Sequence, residues 1–320
     1  MTQESVAIAI VTHNRFECLQ RLLMSIRSLN HAVHSVWIVD NSSSDGTPQK
    51  IQNDLAPNFH LIELKENRGG AGGFNVAIGA ASRSGADWVW IMDDDVLVRP
   101  DGLDRLLTYK NESLCIHGVR LQPDGQVLPF EQWMNPRNCF TDLSGESSFR
   151  SGKKVCPLNV GCFEGMLIHR SIIEKIGLPD PTFFLTEDDA YYGYLASKQT
   201  NVLYVNEVTM SRQLSRPVKS FFMYRTYLSA PEHHLYYFIR NKFLMYRKLR
   251  KDGVAHPVAF SLRLARYVFR MSLLYGVYER NPRKVVSAFK GVLHGMQGRF
   301  GPMSAPEKQL PARNPQTLPH

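Results

Sequence analysis

Six consecutive apolar residues, Val6 to Val11, set the first constraint on this fold. A strand with one wet face alternates in polarity. One that does not is covered on both faces, as strands of parallel sheets are. His13-Asn14-Arg15 follow, and then Phe16, Leu19, Leu22, Leu23, Ile26 and Leu29 keep helical spacing. The alternation goes on with a strand at Val36–Val39, the polar turn Asp40 to Gly46, a short helix and a strand near Phe59–Leu64. The glycine-rich stretch Asn67–Gly73 then opens a helix of small residues, and a strand at Trp88–Met92 runs into three aspartates. Strand and helix in turn predict an α/β protein: a mostly parallel, Rossmann-like sheet flanked by helices. Beyond Leu114 the pattern is mixed. Strands are expected at Phe163–His169 and Val202–Val205, a helix at Glu187–Ser197, and basic helices from Pro231 onward.

The chain has 320 residues, enough for one large α/β domain and a smaller appendage. Its five cysteines form no C-x-x-C pair, so zinc-ligand spacing and a disulfide framework are both poorly supported, and reduced thiols are expected. The first apolar run is too short for an export core, and no uncharged stretch approaches the roughly 18 residues of a membrane span. A cytoplasmic location is therefore expected. The net charge of +9 is unevenly placed: His233 to Phe300 holds fourteen Lys and Arg against Asp252 and Glu279. Such a segment asks for an anionic partner, a lipid surface or nucleic acid.

Asp93-Asp94-Asp95 emerge at the C-terminal end of an apolar strand, the edge at which open α/β sheets bind ligands. Three adjacent carboxylates repel one another unless a cation or solvent compensates. Oxygen ligands suit Mg²⁺ or Mn²⁺ bridging to substrate phosphates. Alternation along an extended chain lets Asp93 and Asp95 share a target that Asp94 does not. The bland alternative is a solvated acidic turn. The stretch Asn67-Arg68-Gly69-Gly70-Ala71-Gly72-Gly73-Phe74 admits close backbone approach to a phosphate at a helix start, with Arg68 as a charged contact. It is no Walker loop, and it follows the third strand where a dinucleotide fingerprint follows the first. Glu187-Asp188-Asp189 reads as ordinary helix-start acids or, if the other features are site features, as the source of a general base.

Together these elements resemble the inverting glycosyltransferase family 2, of GT-A fold, and most nearly its bacterial galactofuranosyltransferases. The matching pieces are Val11 to Arg15, Val39-Asp40-Asn41-Ser42-Ser43, Asn67 to Phe74, Trp88 to Asp95, and Asp188-Asp189-Ala190-Tyr191-Tyr192-Gly193. Bacterial rhamnosyltransferases share much of the pattern. The resemblance implies a nucleotide-sugar-binding and catalytic domain over 1–230, and composition adds a helical, basic region over 231–301 and a flexible, Pro-rich tail over 302–320. It implies a UDP-sugar donor whose uridine end meets Thr12, His13, Asn14, Arg15 and Asp40, with Asn67, Arg68 and Gly69, Gly70, Gly72 and Gly73 near the donor sugar and diphosphate. Asp93 and Asp95 would flank Mn²⁺ or Mg²⁺, and Asp94 would lie near the ribose. Asp189 would be the base, with Asp188 the alternative. Trp133 and Glu164 are candidates for the acceptor side, a growing surface glycan on a lipid carrier. The family's metal-binding His, some twenty residues beyond the base, is missing from this sequence. Met210-Ser211-Arg212 stand there, with His233 or His234 as possible substitutes.

Arg263, Arg266 and Arg270 form a stripe beside Leu264, Tyr267, Val268, Met271, Leu274, Tyr275 and Tyr278. A basic amphipathic helix of this kind can lie on an anionic membrane, so peripheral attachment to the inner face of the cytoplasmic membrane is expected. Nucleic acid is not: the aspartates and the glycine stretch would then have no role.

Overall fold

The computed structural model describes residues 4–52, 54–128, 130–143, 147–215, 218–221, 225–228 and 231–303. The expected tail lies outside the described residues from 304 onward. The first half runs β1 (Val6–Thr12), α1 (Phe16–Arg27), β2 (Ser35–Asp40), α2 (Thr47–Gln52), β3 (Phe59–Glu63), α3 (Gly69–Arg83), β4 (Trp88–Asp93), β5 (Val96–Val98), α4 (Gly102–Leu107) and β6 (Cys115–Leu121). Then come β7 (Gln132–Asn135), β8 (Phe140–Leu143), β9 (Val155–Leu158), β10 (Met166–His169), α5 (Arg170–Ile176), α6 (Asp188–Ala196), β11 (Val202–Arg212), β12 (Val218–Phe221) and β13 (Arg225–Leu228). The helices α7 (Glu232–Lys251), α8 (Pro257–Ser272) and α9 (Pro282–Gln297) close the described chain.

Among the described residues the main sheet has nine strands in the order β3-β2-β1-β4-β10-β6-β11-β5, with β9 paired to β11 off that path. β1 to β4 are mutually parallel, as their apolar runs predict, and β6 is parallel to β11. β10 is antiparallel to both of its neighbours. The unbroken run of β1 is explained by its two faces. Val6, Ile8 and Ile10 enter a core with Trp88 and Trp90 beneath α1 and α4, whereas Ala7, Ala9 and Val11 enter a second core with Val89 and Ile91 beneath α3. A third core joins α7, α8 and α9 to α6 and to the β7–β8 hairpin.

Two strands differ from expectation. β10 starts only at Met166, because Phe163 to Gly165 form a turn whose last amide donates to Phe163 O and Ile91 O. β11 runs past Val205 to Arg212, with irregularities in its pairing to β6 around Val208. The polar Asn206-Glu207 that hid its continuation from the sequence lies at that irregularity. The expected lipid-facing side of α8 is also corrected. Leu264 and Val268, then Leu274 and Tyr275 in the π-helical segment Leu273–Tyr278, are buried inside the protein. Among the described residues no helix is long and apolar enough to cross a membrane.

Candidate active site

Strand register assembles the site. Thr12 lies opposite Asp40, and Val11 opposite Asp93, so the ends of β1, β2 and β4 share one edge of the sheet. Thr12 Oγ1 donates to Asp94 Oδ2 at 2.7 Å, and Arg15 reaches Asp94 at 3.0 Å and Asp95 at 3.2 Å. Both oxygens of Asp94 are thus engaged, one by the last residue of β1 and one by the loop that follows it. Asn14, at φ 53°, receives the Ser44 amide and donates its own to Ser43 Oγ. Asp40 Oδ2 accepts from Ser43 N at 2.8 Å, while its buried Oδ1 has no hydrogen-bond partner among the described residues, and neither has His13 Nδ1.

The glycine stretch lies in the first turns of α3. Three of its members answer to the protein's own packing, Gly72 among them, since a Cβ there would sit 2.5 Å from Arg68 Cβ. Gly69 has φ +69°, and a Cβ there would sit 2.0 Å from Phe184 O; one on Gly73 would sit 2.6 Å from Val11 Cγ1. Gly70 and Gly72 occupy the same helix start. Asn41, named in the sequence only as part of the Val39–Ser43 piece and given no role, has a buried side chain that fixes this turn: Nδ2 donates to Gly69 O and Asn67 Oδ1, and Oδ1 accepts from Arg68 N. Its signal was its place directly after Asp40. The Arg68 side chain is half exposed and lies 3.8 Å from Glu66.

The loop before α6 carries positive φ at Phe184, Thr186 and Glu187 and docks on α3 through Ala71 N to Phe184 O. It delivers Asp188 and Asp189 to the acidic centre. Burial, then the charges of Asp95, Glu164 and Asp94, pushes Asp93 up to about 8. Burial, Asp189 and, more distantly, Asp93 hold Asp188 well above the carboxylate range. Burial lifts Asp189 to about 6, against the amide of Ala190, which donates to it at 2.7 Å. Asp188 is buried, whereas Asp189 keeps partial access to water. The aspartate triplet, the glycine helix and the acids of α6 therefore meet in one place.

Glu164, expected on the acceptor side, is instead buried. Arg120 reaches it at 3.3 Å and Arg212 at 3.0 Å. A carboxylate so enclosed is a counter-charge under the site, with no open face to an acceptor. Trp133 is 55% exposed on β7. His233 and His234 sit in the first turn of α7, with ring centroids 4.7 Å apart. Among the described residues no three His, Cys, Asp or Glu side chains converge on a metal position, and this pair is not brought together with Asp93 and Asp95 in such a group. The end of β11 brings a cation to that side instead, Arg212, 3.4 Å from Asp95 Oδ2. The residues present fit a divalent cation through two carboxylates. Asp95 Oδ1 is buried without a hydrogen-bond partner among the described residues, and Asp93 is crowded by like charge. Mg²⁺ and Mn²⁺ sites commonly take their remaining ligands from phosphate and water.

A model of glycosyl transferase family 2 matches residues 7–177, more than half of the chain. The chain belongs to glycosyl transferase family 2. This family 2 chain is 28% identical over 197 residues to a galactofuranosyltransferase of Mycolicibacterium smegmatis, a match spanning 58% of the chain and 63% of that relative. It is 25% identical over 214 residues to N-acetylglucosaminyl-diphospho-decaprenol L-rhamnosyltransferase of Mycobacterium tuberculosis, spanning 58% of the chain and 68% of the relative. Its fold is shared with S. aureus TarS 1-349, whose crystal structure is in complex with UDP-GlcNAc. The TM-score is 0.55 at 16% identity, covering 92% of this chain and 81% of that one. The sheet and its flanking helices are thus those of a GT-A glycosyltransferase.

Proposed function

We propose that the chain is an inverting hexosyltransferase that moves galactofuranose from UDP-galactofuranose onto a growing bacterial surface glycan carried on a lipid. The observation that carries the reading is the meeting of Asp93, Asp95, Asp188 and Asp189 at the edge where β1, β2 and β4 end. The preference for galactofuranose is supported by the mycolicibacterial relative, and the catalytic half is assigned to 1–230.

In this reading Asp40 and the turn after β1 receive the uracil. Asp40 Oδ1 is an acceptor without a partner among the described residues, and a pyrimidine imide N–H is a donor of the right kind. Asn41 and Asn67 hold the α3 turn against the donor sugar and diphosphate, with Arg68 free to swing onto an anionic oxygen. Asp94 is held by Thr12 and Arg15, so it stays beside the ribose as part of the cradle. Asp93 and Asp95 would hold Mn²⁺ or Mg²⁺, which when bound neutralises charge on the departing diphosphate. Asp189 takes the proton from the acceptor hydroxyl as that oxygen attacks the anomeric carbon from the face opposite the diphosphate. Arg15 and Arg212 keep Asp95 in place while the leaving group gains charge.

The rhamnosyltransferase relative favours a second reading, transfer from dTDP-rhamnose. Incubation with UDP-galactofuranose, UDP-galactose and dTDP-rhamnose, each with Mn²⁺ and with EDTA, tests both. Metal-dependent turnover of UDP-galactofuranose alone is expected. Turnover of dTDP-rhamnose alone moves the chain to the second reading, and turnover of none overturns the proposal.

A further inference from the structure

The C-terminal helices present a surface that catalysis does not use. On α8 and the π-helical segment that continues it, Leu262, Phe269, Leu273 and Val277 line one exposed stripe, with Leu262 at 68% and Val277 at 70% exposure. On α9, Val286, Phe289, Leu293 and Met296 line another at helical spacing. The stripes flank an apolar groove of about 520 Å³ whose floor includes Leu264 and Val268 and whose rim includes Phe269, Phe289 and Met296. Exposed large apolar side chains scattered singly are ordinary; eight aligned on two adjacent helices are not.

Charge decides among the occupants. Residues 253–300 contain eight Lys and Arg and a single acid, Glu279, which accepts from Lys284 Nζ at 2.9 Å. Arg266, Arg270, Arg280 and Arg283 stand exposed around the apolar stripes. A second copy docked on this face by two-fold symmetry would bring guanidinium rims against each other, a repulsive arrangement. Nucleic acid would satisfy the cations and leave the Leu, Val and Phe side chains in contact with charged backbone. Only an interface that is anionic at its surface and hydrocarbon beneath satisfies both features.

We propose that α8 and α9 dock on an anionic lipid bilayer, with the Leu262–Val277 and Val286–Met296 stripes sunk among the acyl chains and the arginines at headgroup level. This is the reverse of the side that a helical wheel of α8 suggests, since the Leu264–Val268 face belongs to the core. The surface is independent of the donor the catalytic half takes.

The test is flotation of the full chain with vesicles of phosphatidylglycerol and phosphatidylcholine, against vesicles of phosphatidylcholine alone, without donor or acceptor. Binding to the anionic vesicles at low salt is expected, weakening as salt rises. Replacing Leu262, Phe269 and Phe289 with Asp should weaken it by tenfold or more. These side chains are exposed, so the thermal unfolding midpoint and turnover of a short soluble acceptor should hold. The triple variant Arg266→Gln, Arg270→Gln, Arg283→Gln should lose roughly fivefold in affinity per cation removed. Failure to bind anionic vesicles, or equal binding by the Asp variant, overturns the proposal. A concentration-dependent dimer that the same Asp substitutions abolish also overturns it, in favour of a second copy as the occupant. Loss of glycosyl transfer has no bearing on vesicle binding, so the two proposals fail separately.

Discussion

Lys242 Nζ lies 2.6 Å from Glu187 Oε2, with the lysine side chain fully buried and the glutamate nearly so. Glu187 is the left-handed residue that turns the chain into α6, one position before Asp188. Its neighbours on α7 grip the same loop: Asn241 Nδ2 donates to Phe183 O, Leu185 O and Thr186 O, and Arg240 to Phe183 O. Three successive side chains of α7 thus hold a loop with three non-glycine positive φ angles. Removing one partner of a buried pair strands the other charge, at about 3–5 kcal/mol. Lys242→Met should cost about that much in urea unfolding, and adding Glu187→Gln should recover most of the loss. A near-neutral Lys242→Met would mean that the pair does not hold the loop.

Asp189 should set the acid limb of the rate profile. Its carboxyl is lifted to about 6, so it is ionised at neutral pH and gains a proton as pH falls through that value. A base must be deprotonated to act, so kcat/KM should fall tenfold per pH unit below about 6. Asp189→Asn should retain donor binding, lose roughly a hundredfold or more of turnover and flatten that limb. If Asp188→Asn has this phenotype and Asp189→Asn does not, the buried neighbour is the base.

The legible parts were those written in local pattern. β1 to β4 were visible as apolar runs, and the Asp93–Asp95 triplet as a break in one of them. Distant pairings were not. Arg120, Glu164 and Arg212 form one buried network across 92 residues of chain, and nothing local marks an arginine as buried. Arg240, Asn241 and Lys242 sit in a helix that reads as basic from its composition, and no local pattern marks these three polar side chains as buried, yet all three are. α8 is apolar on more than one side, so periodicity established the helix but not which stripe faces the core.

Metal and pH should act together on stability. Asp93, raised to about 8, binds its proton more tightly when folded than when unfolded, where it titrates near 4. The folded chain therefore holds the extra proton between those values, and stability falls as pH rises through that window. In EDTA the melting temperature should drop between pH 6 and pH 9, and Mn²⁺ should restore it by replacing the proton's charge. Asp93→Asn should raise the EDTA melting temperature by roughly 2 °C or more per kcal/mol relieved while abolishing transfer. A wild-type midpoint that ignores both pH and Mn²⁺ would exclude Asp93 from the metal site.

Gly69 packs the α3 turn, proposed to meet the donor, against the loop that leads to the proposed base, and its replacement should damage both. Gly69→Ala places a methyl where Phe184 O stands, at a φ that L residues rarely adopt. Phe184 lies three residues before Glu187 in the loop that α7 grips, so the strain has no soft side chain to absorb it. The variant should lose about 1–3 kcal/mol of stability, the range for a strained backbone. Because the loop carries Asp189, kcat should fall as well as donor affinity. Gly70→Ala is the control: its added methyl would meet only the Leu185 side chain, at 3.9 Å. It should keep stability within about 1 kcal/mol, the scale on which Gly and Ala differ in a helix. Equal effects from the two substitutions would show that the contact of Gly69 with Phe184 is not what ties the donor turn to the base.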